Sequence, residues 1–214
     1  MTGAANASGW PSVERAEELL REAEAMNPGP WGAHSRNVAA AARAIAERDD
    51  RLEPERAYVL GLLHDVGRRS GGRGVADVRH VLDGYAFMRG LGFDESARIC
   101  LTHSFPVKNV DAFASAWECP PEEKRFVQAF LDSNEYTPYD RLIQLCDCLG
   151  EASGFVLVEK RFVDVVLRHG FNALTLAKWR AYMDVRREFD EAVGGSVYRL
   201  LPGVVEHTFG FEGM

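Results

Sequence analysis

Apolar residues recur at helical spacing along most of the chain, and no strand-like alternation of apolar and polar residues persists. In the segment 31–48, one stripe contains His34, Val38, Ala41, Ala42 and Ile45. Residues at such intervals share one face of an α-helix, so the stripe predicts a helix packed against a core. Because GFVLV at 154–158 is the one short strand-prone run, the sequence predicts an all-α fold.

Residues that favour helix starts and helix ends divide this pattern into separate helices. Ser12 is a suitable N-cap for the first of them, and Gly67 is a suitable stop for the third. The predicted helices span about 13–26, 31–48, 55–67, 76–90, 94–104, 121–132, 139–149, 158–169 and 173–193. With no repeat and no linker between them, we predict a single all-α domain over residues 1–214, with a trailing segment of roughly 20 residues.

Composition excludes several classes of function. The 214 residues are 46% hydrophobic and 27% charged, which is typical of a globular protein with a core. A formal charge of −7 and the lack of a basic stripe argue against binding to nucleic-acid duplexes or membrane surfaces. No apolar run approaches the roughly 20 residues of a membrane span. With no secretory signal and four cysteines too few for a disulfide framework, the cytoplasm is the expected compartment.

A run of mostly apolar residues, 57–63, leads directly into His64 and Asp65. Such a run should be buried, and burying an ionised carboxylate costs several kcal/mol unless a partner compensates it. His34, His80 and His103 also lie in or at the ends of apolar predicted helices. These side chains therefore need a common explanation.

Asp147 is the second carboxylate in an apolar predicted helix, and it stands between Cys146 and Cys148. Taken one at a time, each histidine fits a hydrogen-bonded core residue, Asp147 fits a cap or an arginine partner, and the cysteines fit buried thiols. Taken together, His34, His64, Asp65, His80, His103 and Asp147 fit a metal site, because a divalent cation offsets carboxylate burial and binds neutral imidazole.

The ordered set resembles a known family. HSRNV at 34–38, LGLLHDVG at 60–67 and LIQLCD at 142–147 match the H…HD…D pattern of the HD-domain metal-dependent phosphohydrolase superfamily. The resemblance covers about residues 31–150 and implies an HD-type helical bundle as the core of the domain, followed by C-terminal helices over 158–193. The four-histidine, two-aspartate inventory is similar to that of the symmetrical dinucleoside tetraphosphate hydrolases.

The resemblance also implies a binuclear metal centre. His34, His64, Asp65 and Asp147 would hold one divalent metal, and Asp65 would bridge to a second ion held by His80 and His103. The nitrogen and oxygen ligands do not select one metal: nickel, cobalt and zinc are compatible with them, and six-coordinate sites favour iron or manganese. Whether one or two ions bind stays open at this point.

Basic residues near the motif suggest where an anionic substrate would bind. Arg68 follows the HD pair and is predicted to act in catalysis with Asp65 and to bind substrate, together with Arg69, Arg79 and Lys108. For Arg68 and Arg69, a solvated loop is an equally good interpretation. The expected partner is a small, phosphorylated, nucleotide-like compound. An apolar helix over 173–183 could also pair two subunits in a homodimer.

The function that these features favour is metal-dependent phosphohydrolysis. A metal-bound hydroxide would attack a phosphomonoester, a phosphodiester or a nucleotide phosphoanhydride. Two alternatives share the same ligand inventory. One is an HD-fold di-iron oxygenase, and the other is a non-catalytic, metal-stabilised ligand-binding protein.

Overall fold

Helices make up nearly all of the regular structure, which confirms the predicted all-α class. The computed structural model describes residues 9–71, 78–115 and 117–211. The α-helices in these ranges are α1 (Val13–Met26), α2 (Trp31–Ala46), α3 (Pro54–Leu63), α4 (Arg79–Gly90), α5 (Asp94–Thr102), α6 (Pro121–Ser133), α7 (Pro138–Leu149), α8 (Val158–His169), α9 (Thr175–Ala192) and α10 (Val204–Phe209). Short 3-10 helices span Val66–Ser70, Val110–Ala112 and Val197–Leu200.

The small amount of sheet is one antiparallel hairpin between α7 and α8. Strand β1 (Gly150–Glu151) pairs with β2 (Gly154–Phe155), and Gly150 lies opposite Phe155 in the register. The strand-prone run at 154–158 therefore contributes only its first two residues to a strand. This hairpin packs against α2, so it lies beside one of the predicted metal ligands.

Local signals in the sequence account for several helix ends. The Ser12 hydroxyl accepts a hydrogen bond from the Arg15 amide, as expected for the predicted N-cap of α1. Thr137 and Asp140 form a capping box at the start of α7, the helix that carries Asp147. These caps satisfy amide groups that would otherwise lack partners in the first turn.

Three apolar clusters form the core. One joins α2, α7 and α9 through side chains such as Ile45, Leu142 and Phe189. A second joins α1 and α3, and a third joins α4, α5 and α6. Helix α2 packs against both α3 and α7, so the three elements that carry His34, the HD pair and Asp147 are neighbours.

A close backbone contact positions α4. A Cβ atom at Gly67 would lie 1.9 Å from the His80 carbonyl oxygen and 2.4 Å from the Gly84 amide nitrogen. Only glycine lets the 3-10 helix Val66–Ser70 approach α4 this closely. The contact brings the start of α4, and with it His80, beside the HD pair.

The structure corrects two sequence predictions. Helix α3 ends at Leu63 instead of continuing to Gly67, and Arg68 and Arg69 lie in a 3-10 helix. The predicted trailing segment instead contains α10, whose Thr208 hydroxyl accepts a hydrogen bond from the Leu157 amide. Part of the connection between the predicted helices over 55–67 and 76–90 lies in residues 72–77, outside the described ranges. That residues 1–214 form a single domain stays a prediction.

Across the described residues, none of the helices combines the length and the apolar character that crossing a membrane would require.

Candidate metal centre

Five helical segments bring the six predicted ligands to one place. His34 lies in α2, His64 and Asp65 directly follow α3, and His80 lies in the first turn of α4. His103 directly follows α5, and Asp147 lies in the last turn of α7. The six side chains are separated by up to 113 positions in the chain and meet only because these helices pack together.

His34, His64 and Asp147 form one group of donor atoms. The His34 Nε2 atom lies 3.2 Å from the His64 Nε2 atom and 3.1 Å from the Asp147 Oδ1 atom. The His64 Nε2 atom is 3.7 Å from the same carboxylate oxygen. Nitrogen ligands about 2.1 Å from a shared ion would lie roughly 3 Å apart, so this spacing suits a common cation.

His80 and His103 form the second group with Asp65. Their Nε2 atoms are 3.3 Å apart. The Asp65 Oδ1 atom lies 3.2 Å from His80 Nε2 and 3.6 Å from His103 Nε2. The other oxygen, Oδ2, lies 3.8 Å from His64 Nε2 and 4.0 Å from His34 Nε2. Asp65 therefore turns one oxygen toward each group.

The opposite ring nitrogens orient three of the imidazoles. His34 Nδ1 donates to the Gly150 carbonyl at 2.9 Å, and His64 Nδ1 donates to the Gly61 carbonyl at 2.7 Å. His103 Nδ1 donates to the Ile99 carbonyl at 3.1 Å. A carbonyl oxygen can only accept, so the proton lies on Nδ1 and the Nε2 lone pair faces the centre. Metal-binding histidines in proteins show this pattern.

Two features of the centre fit a cation. In the neutral tautomers described above, the Nε2 lone pairs of His34 and His64 face each other at 3.2 Å, which is unfavourable unless a proton or a metal cation lies between them. The Asp65 Oδ1 atom is buried and, within the described ranges, accepts no hydrogen bond. A divalent cation would satisfy both, and the clustered histidines and aspartates could hold one.

The charge states of the aspartates suit metal binding. Burial alone would raise the pKa of Asp65, but the positive charge of Arg68 and the nearby imidazoles hold it well below its ordinary value. Burial acts on Asp147 in the same way, and hydrogen bonds from His34 and His64 keep its pKa well below the usual range. Both carboxylates are therefore ionised at neutral pH.

The buried histidines differ in their affinity for protons. Burial, reinforced by the charge of His64, lowers the pKa of His103 to about 3, so His103 is neutral. Burial also disfavours charged His64, but Asp65 and Asp147 outweigh this and raise its pKa. A cation binding at His64 would take the place of that proton.

The centre lies at the base of a cavity of about 770 Å³. His34 and Asp147 keep 12% and 19% of their side-chain surface exposed, so the first group opens toward this space. Arg68 also lines the cavity, and its Nε atom lies 2.5 Å from the Asp65 Oδ2 atom. The predicted catalytic pair, Asp65 and Arg68, is therefore in direct contact at the cavity wall.

The structure does not bring the other predicted substrate-binding residues to the cavity. The Arg69 guanidinium lies 3.9 Å from the centre of the Phe87 ring, on the far side of the 3-10 helix. Arg79 forms salt bridges with Asp83 and Glu123, and Lys108 forms one with Glu135. A role for these three residues in substrate binding stays a prediction.

Basic residues that we did not predict also line the cavity, among them Arg161, Arg168 and Lys178. Arg161 comes from α8 and Lys178 comes from α9. In the sequence each stands among other charged residues, which is typical of the solvated face of an amphipathic helix. Nothing in their local pattern distinguishes them, because their position depends on how α8 and α9 pack over α7.

A metal titration tests the centre. Adding Mn²⁺ at about 100 times its Kd to the chelated protein should stabilise it by about 2.7 kcal/mol, because the ion binds only the folded state. For a chain of this size that corresponds to a rise in Tm of about 5–10 °C, measured by thermal unfolding. Asp147→Asn should lose most of the rise, whereas Asp184→Asn on the exposed side of α9 should keep it. No shift in the native protein would contradict a metal centre.

Comparison with known families gives one match. The model of the HD domain covers residues 31–151, which is more than half of the chain. That interval contains all six donor residues and ends in β1, before Arg161 and Lys178. Neither the curated proteins nor the solved structures include a significant match to the chain.

Proposed function

The chain belongs to the HD domain family, and from that premise we propose that it is a metal-dependent phosphohydrolase acting on a small, anionic, phosphorylated compound. One observation carries the proposal. Six histidine and aspartate side chains converge at the base of a cavity whose walls carry the positive charges of Arg68, Arg161 and Lys178. Glu151 and Asp164 also line the cavity, so bound divalent cations would be needed to make it net positive and attractive to anions. Phosphate is the natural ligand for arginine and divalent cations together.

The ligands divide between two ions in this proposal. His34, His64 and Asp147 would hold one, and His80 and His103 would hold the other, with Asp65 shared between them. Iron and manganese suit the nitrogen and oxygen donors best, and nickel, cobalt and zinc are compatible. When bound, such ions lower the pKa of a coordinated water toward neutrality and offset negative charge on phosphoryl oxygens.

The protein's own residues position the substrate. The Arg68 guanidinium forms a salt bridge with Asp65. Once a cation shares the charge of Asp65, the guanidinium becomes available to donate two hydrogen bonds to a phosphoryl oxygen pair. The hydrogen bonds from Nδ1 of His34, His64 and His103 to backbone carbonyls keep the imidazoles oriented throughout.

A phosphate-release panel tests the proposal. Protein loaded with Mn²⁺ or Fe²⁺ should release inorganic phosphate or a nucleotide from at least one phosphomonoester, phosphodiester or phosphoanhydride. Nucleotides, including dinucleoside polyphosphates, are the first compounds to try, in line with the resemblance to the symmetrical dinucleoside tetraphosphate hydrolases. Chelation should abolish the release, and readdition of the metal should restore it.

The same panel separates the alternatives. Consumption of O₂ by the iron-loaded protein without release of phosphate would favour an oxygenase over a hydrolase. Bound metal with no turnover of any compound would favour a ligand-binding protein. Either result would overturn the proposal.

A further inference from the structure

Part of the cavity wall comes from the two helices that follow the matched domain. Arg161 in α8 and Lys178 in α9 both line the cavity, and both lie beyond residue 151. Their side chains are partly buried. The chain thus adds two positive charges to a space whose metal donors come from another part of the sequence.

Aromatic rings lie beside Lys178, one of them between it and the His80 ring. The Lys178 Nζ atom lies 5.9 Å from the ring centres of both Phe113 and Tyr182. On its other side, the Phe113 ring lies 6.3 Å from the His80 ring. Lys178 therefore faces the cavity across Phe113 from the second group of ligands. An anion beside it would be partly screened from water by these rings, which strengthens electrostatic attraction.

Arg161 and Lys178 differ in their partners from Lys160, Arg186 and Arg187 of the same two helices. Salt bridges pair Lys160 with Glu151 and Asp164, Arg186 with Asp190, and Arg187 with Asp184. Among the described residues, no carboxylate forms a salt bridge with Arg161 or Lys178. Burial lowers the pKa of Lys178, and the like charge of Arg161 acts in the same direction, while Cys148 and Asp147 oppose them only in part.

Neither cation has a salt-bridge partner in the described part of the chain, so the charge of Asp147 offsets their mutual repulsion only from a distance. A bound anion would remove that repulsion. The cavity, at about 770 Å³, falls in the size range of sites for drug-sized ligands and is far larger than one phosphate requires. It therefore has room for a molecule that reaches from the metal donors to this wall.

We propose that Arg161 and Lys178 form a second anion-binding subsite, which holds a phosphate group of the substrate other than the one at the metal centre. The inference rests on the proposed function and narrows its substrate class to small molecules with at least two phosphate groups. Hydrolysis would take place at the His/Asp cluster, while the subsite holds the far end of the molecule.

Inorganic phosphate is the probe for the test, and isothermal titration gives the number of ions bound per chain. Metal-loaded native protein should bind two phosphates, and chelated native protein should bind one. The double variant Arg161→Gln/Lys178→Met should bind one when metal-loaded and show at least about tenfold weaker binding when chelated. Its Tm should stay close to that of the native protein, because neither side chain forms a salt bridge to a described residue that the substitutions would break.

The matched control is Lys160→Met/Arg187→Gln, which removes one lysine and one arginine from the same two helices. Both residues are already paired with carboxylates and do not line the cavity, so phosphate binding should be unchanged. Equal phosphate binding by the chelated native protein and the Arg161→Gln/Lys178→Met variant would overturn the subsite. So would a lower Tm in that variant, which would indicate a structural role. Because the chelated protein hydrolyses nothing, this result is independent of whether the phosphate-release panel succeeds.

Discussion

Asp65→Asn should lose both bound metal and hydrolysis, with turnover reduced about a thousandfold or more. The two carboxylate oxygens of Asp65 face the two groups of imidazoles. Replacing the carboxylate by the Asn amide therefore removes a charged ligand from both groups at once. Metal ions contribute several kcal/mol to such reactions, and each loss of about 1.4 kcal/mol slows the rate tenfold. Metal content by elemental analysis and phosphate release by the purified variant measure the two effects.

The control for this variant is Asp49→Asn. The Asp49 and Asp65 side chains are equally buried, at 3% exposed, and each forms a salt bridge with an arginine two or three positions further along the chain. Asp49 pairs with Arg51 outside the cavity, so its substitution should affect stability while leaving metal content unchanged. If Asp65→Asn kept its metal, or if Asp49→Asn lost it to the same extent, the assignment of Asp65 would be wrong.

Gly67→Ala should destabilise the protein and disturb the second group of ligands. The new Cβ would meet the His80 carbonyl oxygen at 1.9 Å and the Gly84 amide at 2.4 Å. Both are backbone atoms, so α4 must move, and overpacking of this kind costs about 3 kcal/mol. The expected fall in Tm is about 6–12 °C. Since α4 carries His80, the variant should also bind one ion fewer per chain.

Gly90→Ala, at the end of the same helix, is the comparison that isolates this effect. Apart from its own turn of helix, a Cβ at Gly90 would have no atom of the described structure within 4 Å, so the substitution introduces no clash. Alanine also has the higher helix propensity, and the Tm should stay level or rise slightly. Similar losses of stability in both variants would show that the close contact at Gly67 is unimportant.

The metal donors could be predicted from the sequence because their setting is unusual. An ionisable side chain in a strongly apolar helix, such as Asp65 or Asp147, needs a compensating partner, and this need is visible without a structure. The helical spacing around His34 likewise predicted which face of α2 meets the core. Which imidazole lies beside which carboxylate depends on helix packing, and the sequence carries no local signal for it.

Basic residues were harder to assign for the opposite reason. Arginine and lysine are common on exposed faces, so their type says little about where they point. Arg68 and Arg69 are adjacent, yet the turn of the 3-10 helix directs one to Asp65 and the other onto Phe87. Arg161 and Lys178 follow the His64–Asp65 pair by more than 90 positions. They reach the cavity only through the packing of α8 and α9.

The short C-terminal helix α10 was also missed. Its six residues, Val204–Phe209, are too few to show a helical period, and an isolated helix of that length is unstable in water. Contacts with β2 and with the Leu157 amide hold it in place. Tertiary packing, rather than local propensity, therefore determines this element.

The acceptors that orient His34, His64 and His103 all belong to the main chain, at Gly150, Gly61 and Ile99. Every residue type has a carbonyl oxygen, so no exchange of one amino acid for another can delete these acceptors. Side-chain substitutions nearby therefore leave intact the hydrogen bonds that orient three of the six predicted metal ligands. Only a change that bends a helix end or the hairpin can misalign them.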